Sequence, residues 1–187
     1  MTRHPQKTQE ALYLLTYFEE GTFGLGRALG NALMGVFIGA TPAPAVTVLI
    51  SGDLGTGKTV LVRGIGDALG ITRVRSPSFT LVNEYHTKHF AIVHADLYRL
   101  SPEGVDDLGL EEYRENRCVL LVEWPERWVN QPERDVLKVF IEAGSESGRA
   151  FDISSRGGAA DLVFQNLVEA IKDGKIDPGV GLQFTLD

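Results

Sequence analysis

A chain of 187 residues with 43% hydrophobic and 23% charged content can bury one good core, so a single domain over residues 1–187 is expected, with its core over about 22–172 and a loose tail over 173–187. A net charge of −7 argues against a nucleic-acid surface as the main business, because phosphate contacts need clustered Lys and Arg, and the lone Cys118 excludes an internal disulfide framework. The first residues lack a signal-peptide pattern and no run approaches 18 apolar residues, so a cytoplasmic protein without membrane contact is expected.

In chain order, ALYLLTYF (11–18) reads as a first edge strand, after which Thr22 is placed to cap a helix through Leu25, Leu29, Leu33 and Met34. GATPAPA (39–45) is a loop by its two prolines, and the β-branched run AVTVLIS (45–51) is a buried strand. A helix follows from Lys58 to about Leu69, with Val60, Leu61, Ile65 and Leu69 as its apolar positions. SFTLVNEYH (78–86) and FAIVHADLY (90–98) are two β-rich runs parted by a polar turn at Thr87 and Lys88. Short helices are expected from Pro102 to Glu115, and VLLVEW (119–124), bounded by Pro125, has the look of a buried central strand in which Cys118 is a small core residue. VLKVFIEA and AFDISS, separated by GSESGR, read as an antiparallel hairpin; DLVFQNLVEAIKDG is an amphipathic helix ending at Gly174, with KIDPGVGLQFTLD loosely held behind it. The alternation predicts an α/β fold of three layers with a mostly parallel central sheet and an antiparallel C-terminal hairpin.

The segment Gly52 to Thr59, GDLGTGKT, matches GxxxxGK[ST] at every fixed position, between a predicted strand and a predicted helix. Glycines there let the backbone turn tightly and aim successive N–H groups at phosphate oxygens, at the positive end of the following helix. A nucleoside triphosphate is therefore the first ligand to consider, cradled by Gly52, Asp53, Leu54, Gly55, Thr56, Gly57, Lys58, Thr59 and Val60. Lys58 supplies a point charge for the β/γ-phosphates, and the Thr59 hydroxyl is a ligand for Mg²⁺. Such a site needs a carboxylate from the end of a neighbouring strand. Asp96 ends AIVHAD and Glu123 ends VLLVE; one suffices for the metal and the other is free to hold water, with the two roles open. His94 shares a strand face with Asp96 and reads as a core histidine as readily as a proton carrier. Trp124 has an adenine-stacking and a core reading of equal weight, while Arg99 and Arg127 read as solvated surface residues.

Four segments in order, GDLGTGKT (52–59), SPSFTLVNEY (76–85), HADLYRL (94–100) and VEWPER (122–127), resemble the bacterial TsaE (YjeE) family, small P-loop ATPases required for N6-threonylcarbamoyladenosine formation in tRNA. The matching core runs from about Thr22 to Arg127. The resemblance implies an ATPase that uses ATP and Mg²⁺ and is stimulated by its partners, TsaB and TsaD, with tRNA reached only indirectly. It further implies that Lys58 and Thr59 bind phosphate and Mg²⁺, that Glu123 is the second metal-site residue, and that Asp96 is the other acid of hydrolysis, so the catalytic set is Asp96, Glu123 and Lys58. SPSFTL resembles a switch-like stretch near the γ-phosphate, with Thr80 as its terminal hydroxyl. Ser78 and Phe79 stand where Thr and Tyr are frequent in the family, keeping a hydroxyl at 78 and losing the phenol at 79. Glu123 ends the more apolar strand, which is expected beside the phosphate-loop strand, so it is assigned to the metal and Asp96 to water. Two other classes share the loop: a small-molecule P-loop kinase, which would carry an Arg-rich lid not evident here, and a nucleotide-binding regulatory module without turnover.

Overall fold

The computed structural model describes residues 10–38, 40, 44–115, 118–144, 148–176 and 183–186; most of the proline loop and half of the GSESGR turn lie outside them. The elements are β1 (Ala11–Tyr17), α1 (Phe18–Phe37), β2 (Val46–Ser51), α2 (Lys58–Ala68), β3 (Val82–His86), β4 (Ala91–Asp96), α3 (Pro102–Asp106), α4 (Leu110–Glu115), β5 (Cys118–Glu123), β6 (Val136–Ala143), β7 (Gly148–Arg156), α5 (Gly158–Lys172) and β8 (Gln183–Leu186). Among the described residues they form one eight-stranded sheet in the order β3-β4-β5-β2-β6-β7-β1-β8. Its centre, β4-β5-β2-β6, is parallel, and both flanks are antiparallel.

The central strands are continuous apolar runs because both faces are covered. On one face Val48, Ile50, Leu121 and Val139 pack among α1, α2 and α5 side chains such as Leu29, Leu61 and Phe164. On the other, Leu49, Val93, Leu120 and Val122 pack with Val105, Leu110 and Trp128. Three layers result, with the mostly parallel centre and the β6–β7 hairpin in their expected places. Cys118 is buried, its thiol donating to the Tyr113 carbonyl at 2.6 Å, and burial pushes its pKa up to about 11, as befits a core residue. Helix α1 touches α2 backbone to backbone: a Cβ on Gly26 would lie 2.3 Å from the Leu61 carbonyl oxygen. That close seat fixes the helix that carries Lys58 and Thr59.

Several local expectations need correction. Strand β1 is not an edge, since it pairs with β7 on one side and with β8 on the other. The outer row of β1 N–H and C=O groups is a template for another strand, and residues 183–186 of the tail expected to be loose take it. Thr22 does not cap α1. The helix begins four residues earlier, where Phe18 turns the chain at φ 61° and Glu19 and Glu20 occupy the electropositive first turn; Thr22 is buried within it, its hydroxyl 3.4 Å from that of Thr16. The run SFTL does not belong to β3 either: Leu81 sits at φ 66° and its N–H donates to the Pro77 carbonyl, closing a turn before the strand starts at Val82. No helix among the described residues is long and apolar enough to cross a membrane.

Candidate active site

Strand β2 ends at Ser51 and the chain enters the loop over 52–57 before α2. Gly52 adopts φ 135° and Gly57, which precedes α2, φ 101°; a Cβ on Gly52 would lie 2.2 Å from the Ile141 carbonyl oxygen of β6. Only glycine fits there. The loop is braced internally by the Thr56 hydroxyl donating to the Asp53 carbonyl at 2.9 Å, and externally by Arg149 of β7, whose Nε donates to the Thr56 carbonyl at 3.1 Å.

Lys58 is buried at 5% exposure and curls back over this loop, donating from Nζ to the carbonyls of Gly52 at 2.7 Å and Asp53 at 2.8 Å. Its ammonium lies 3.9 Å from the Trp124 ring centroid. Burial pulls the Lys58 pKa below the ordinary lysine range, against an opposing pull from Glu123, Glu126, Asp96 and Asp53.

Thr59 shares its hydroxyl proton between both oxygens of Glu123, each at 3.0 Å. Glu123, 2% exposed, also meets Nε2 of the fully buried His94 at 2.9 Å through Oε1. Because β4 and β5 are parallel and in register, Asp96 stands directly beside Glu123. Asp96 accepts from the Ser78 hydroxyl at 3.1 Å on one oxygen and from the Tyr98 N–H at 3.1 Å on the other; Ser78 in turn lies 2.6 Å from the Ser76 hydroxyl.

A cleft of about 500 Å³ joins these groups, with Leu54, Gly55, Gly57, Lys58, Thr59 and Val60 on one side, Ser76, Ser78, Asp96, Tyr98 and Arg99 on the other, and Glu123 and Trp124 between. A larger groove of about 810 Å³ runs along α1 past Glu19, Arg27, Arg63 and Lys175, and gathers none of the motif residues. The structure thus brings together Lys58, Thr59, Asp96 and Glu123. Gly52, Asp53 and Thr56 act from behind the cleft as the frame of the loop. Thr80 is not part of it: its hydroxyl donates to Asn83 at 2.8 Å, and Ser78 is the hydroxyl of SPSFTL that reaches the acids. Arg99 lines the cleft beside the exposed Phe79, its guanidinium carbon 5.1 Å from that ring, whereas Arg127 lies in a short 3₁₀ turn away from the lining. Sequence reasoning missed Arg149, which carries no motif, and the ring of Tyr98, 4.7 Å from Trp124 and already inside the HADLYRL pattern.

The donor set fits a small hard cation. Thr59, Glu123 and Asp96 offer only oxygens, and Mg²⁺ accepts one or two carboxylates with its other positions filled by phosphate and water. No group of three or more His, Cys, Asp or Glu that could hold a metal ion occurs among the described residues.

Fold and site together define an α/β protein in which a GxxxxGK[ST] loop links a central parallel strand to a helix, with two carboxylates ending the neighbouring strands. The family model described as threonylcarbamoyl adenosine biosynthesis protein TsaE matches residues 18–151, so the match extends past Arg127 into the β6–β7 hairpin. This chain belongs to the TsaE family. The tRNA threonylcarbamoyladenosine biosynthesis protein TsaE of Nostoc sp. is 39% identical over 126 residues, spanning 65% of this chain and 77% of that one. The protein of the same name in Bacillus subtilis is 34% identical over 125 residues, spanning 66% and 78%. A crystal structure of Bacillus subtilis YdiB superposes with a TM-score of 0.69 at 26% identity, covering 89% of this chain and 99% of the other.

Proposed function

We propose that this chain binds ATP with Mg²⁺ in the cleft, hydrolyses it, and with TsaB and TsaD partner proteins supports N6-threonylcarbamoyladenosine formation in tRNA, in the cytoplasm. The observation that carries the reading is the convergence of Lys58, Thr59 and Glu123 on one cleft, in a chain whose relatives bear the name of that biosynthesis.

The loop N–H groups and the N-terminus of α2 receive the phosphates. Lys58 exchanges its two loop carbonyls for phosphate oxygens, regaining for its buried charge an anionic partner. Thr59 and Glu123 would hold Mg²⁺, which would supply charge neutralisation at the phosphate oxygens. Asp96 orients the water that attacks the terminal phosphorus, ADP leaving as the bridging bond breaks, and the Ser78 contact makes the position of Asp96 sensitive to the segment over 76–81. Among the described cleft residues Arg99 is the single arginine, which favours hydrolysis over a kinase reading that needs an arginine-rich lid.

The test is ATP turnover by the purified chain with and without the TsaB and TsaD proteins. Strong stimulation by the partners is expected; bound ATP with no turnover under either condition would instead support a regulatory module, and a phosphorylated metabolite a kinase. With a net charge of −7, free tRNA should bind weakly in the absence of partners, and submicromolar binding with a steep salt slope would contradict the indirect role.

A further inference from the structure

His94 sits in the middle of β4, level with Asn83 of β3 and Leu121 of β5, with no exposed surface. Its Nε2 lies 2.9 Å from Glu123 Oε1, and its Nδ1 is buried with no hydrogen-bond partner. With the carboxylate as acceptor the contact uses an Nε2–H, and Nδ1 is left as a buried polar atom without a partner. Burying an unpartnered polar atom is unfavourable, and an aliphatic side chain would fill the strand without one. What the histidine offers in return is a fixed donor. Glu123 has three side-chain torsions, and a carboxylate meant to face Thr59 needs them held.

We propose that His94 is the positioning residue of Glu123: the Nε2–H holds Oε1 so that the carboxylate faces the Thr59 hydroxyl, and the affinity of the cleft for a divalent cation depends on that hold. The inference rests on the reading of Glu123 as the metal-site carboxylate. Lys58 bonds to the loop carbonyls and His94 to Glu123, so binding of nucleotide without metal is expected to be independent of His94.

The experiment compares the full-length native chain with His94→Gln, His94→Asn and Glu123→Ala, all checked for a folded state, measuring Mn²⁺ affinity of the ADP complex by electron paramagnetic resonance and ADP affinity in the presence of chelator. Gln carries its amide nitrogen near the place of Nε2, whereas the Asn amide stops near the place of Nδ1. His94→Asn is expected to weaken Mn²⁺ binding about tenfold or more, His94→Gln to retain most of it, and metal-free ADP affinity to stay unchanged in both. Native-strength Mn²⁺ binding by His94→Asn, or an equal loss in His94→Gln, overturns the proposal provided Glu123→Ala weakens the metal. If Glu123→Ala binds Mn²⁺ like the native chain, the metal-site reading itself fails and the proposal falls with it. A readout free of substitution is the ¹⁵N spectrum of the native His94 ring: a protonated, exchange-protected Nε2 is expected, and a ring protonated at Nδ1 alone overturns the assignment.

Discussion

The two acids of the cleft are register partners on parallel strands, yet they are anchored in different ways. Glu123 is tied to helix α2 through Thr59 and to the sheet interior through the fully buried His94. Asp96 is tied to Ser78, in a segment that carries an 88% exposed Phe79 and a left-handed Leu81. One acid is held by the scaffold and the other by a surface loop. A cation and a triphosphate need fixed geometry, which the scaffold provides. An acid that acts on the chemical step is a place where a partner can intervene, and a loop contact supplies the handle.

The largest effect should come from Lys58→Ala, which strikes both sides at once. Removing a charge-assisted phosphate contact should cost about 1.5–3 kcal/mol of nucleotide affinity, roughly tenfold to more than a hundredfold, with the fold retained. Calorimetry on the folded variant showing native affinity would remove Lys58 from the site.

Lys58 also makes a pH dependence. Its pKa is held below the ordinary lysine range by burial, so between that lowered value and the ordinary one the unfolded chain binds more protons than the folded one, and this residue's contribution to stability rises with pH. Phosphate binds the protonated form, so nucleotide affinity should fall as pH rises through the lowered value, by about tenfold per pH unit at most. Lys58→Met should flatten both trends relative to the native chain; unchanged slopes in thermal melts and affinity titrations of that variant would show that other groups set them.

The smallest of these effects, Ser78→Ala, bears most directly on the contrast between the acids. Of the two acids it touches Asp96 alone, removing one hydrogen bond worth about 0.5–1.5 kcal/mol together with the Ser76–Ser78 hydroxyl contact. Partner-stimulated turnover should drop a few-fold while Mg²⁺-ATP affinity holds. An equal loss in both measurements would mean that the two sides are not separate.

The scaffold side was the more legible in the sequence. A fully apolar run ending in an acid, and a glycine-rich loop between strand and helix, announce β5, β2 and the loop from local pattern alone, and parallel register then sets Asp96 beside Glu123. Thr59 and Glu123 were expected at one metal site, but other contacts that complete the site were not legible, because they join positions far apart in the chain: His94 with Glu123, and Arg149 with the Thr56 carbonyl. Thr80 was a plausible hydroxyl by its place in SPSFTL, but the turn closed by Leu81 sends Ser78 to the acids instead. At the other end of the sheet, β8 was hidden because a four-residue strand draws its stability from the open edge of β1 rather than from its own pattern.

The most direct test of the central claim is a magnesium titration of ATP affinity and of partner-stimulated turnover for Glu123→Ala and Asp96→Ala. Interactions made only in the transition state alter turnover without altering ground-state affinity. Glu123→Ala should therefore lose the dependence of ATP affinity on Mg²⁺, while Asp96→Ala should keep that dependence and lose turnover by about a hundredfold or more. The reverse pattern, with Asp96 controlling metal-dependent affinity and Glu123 only turnover, would contradict the account.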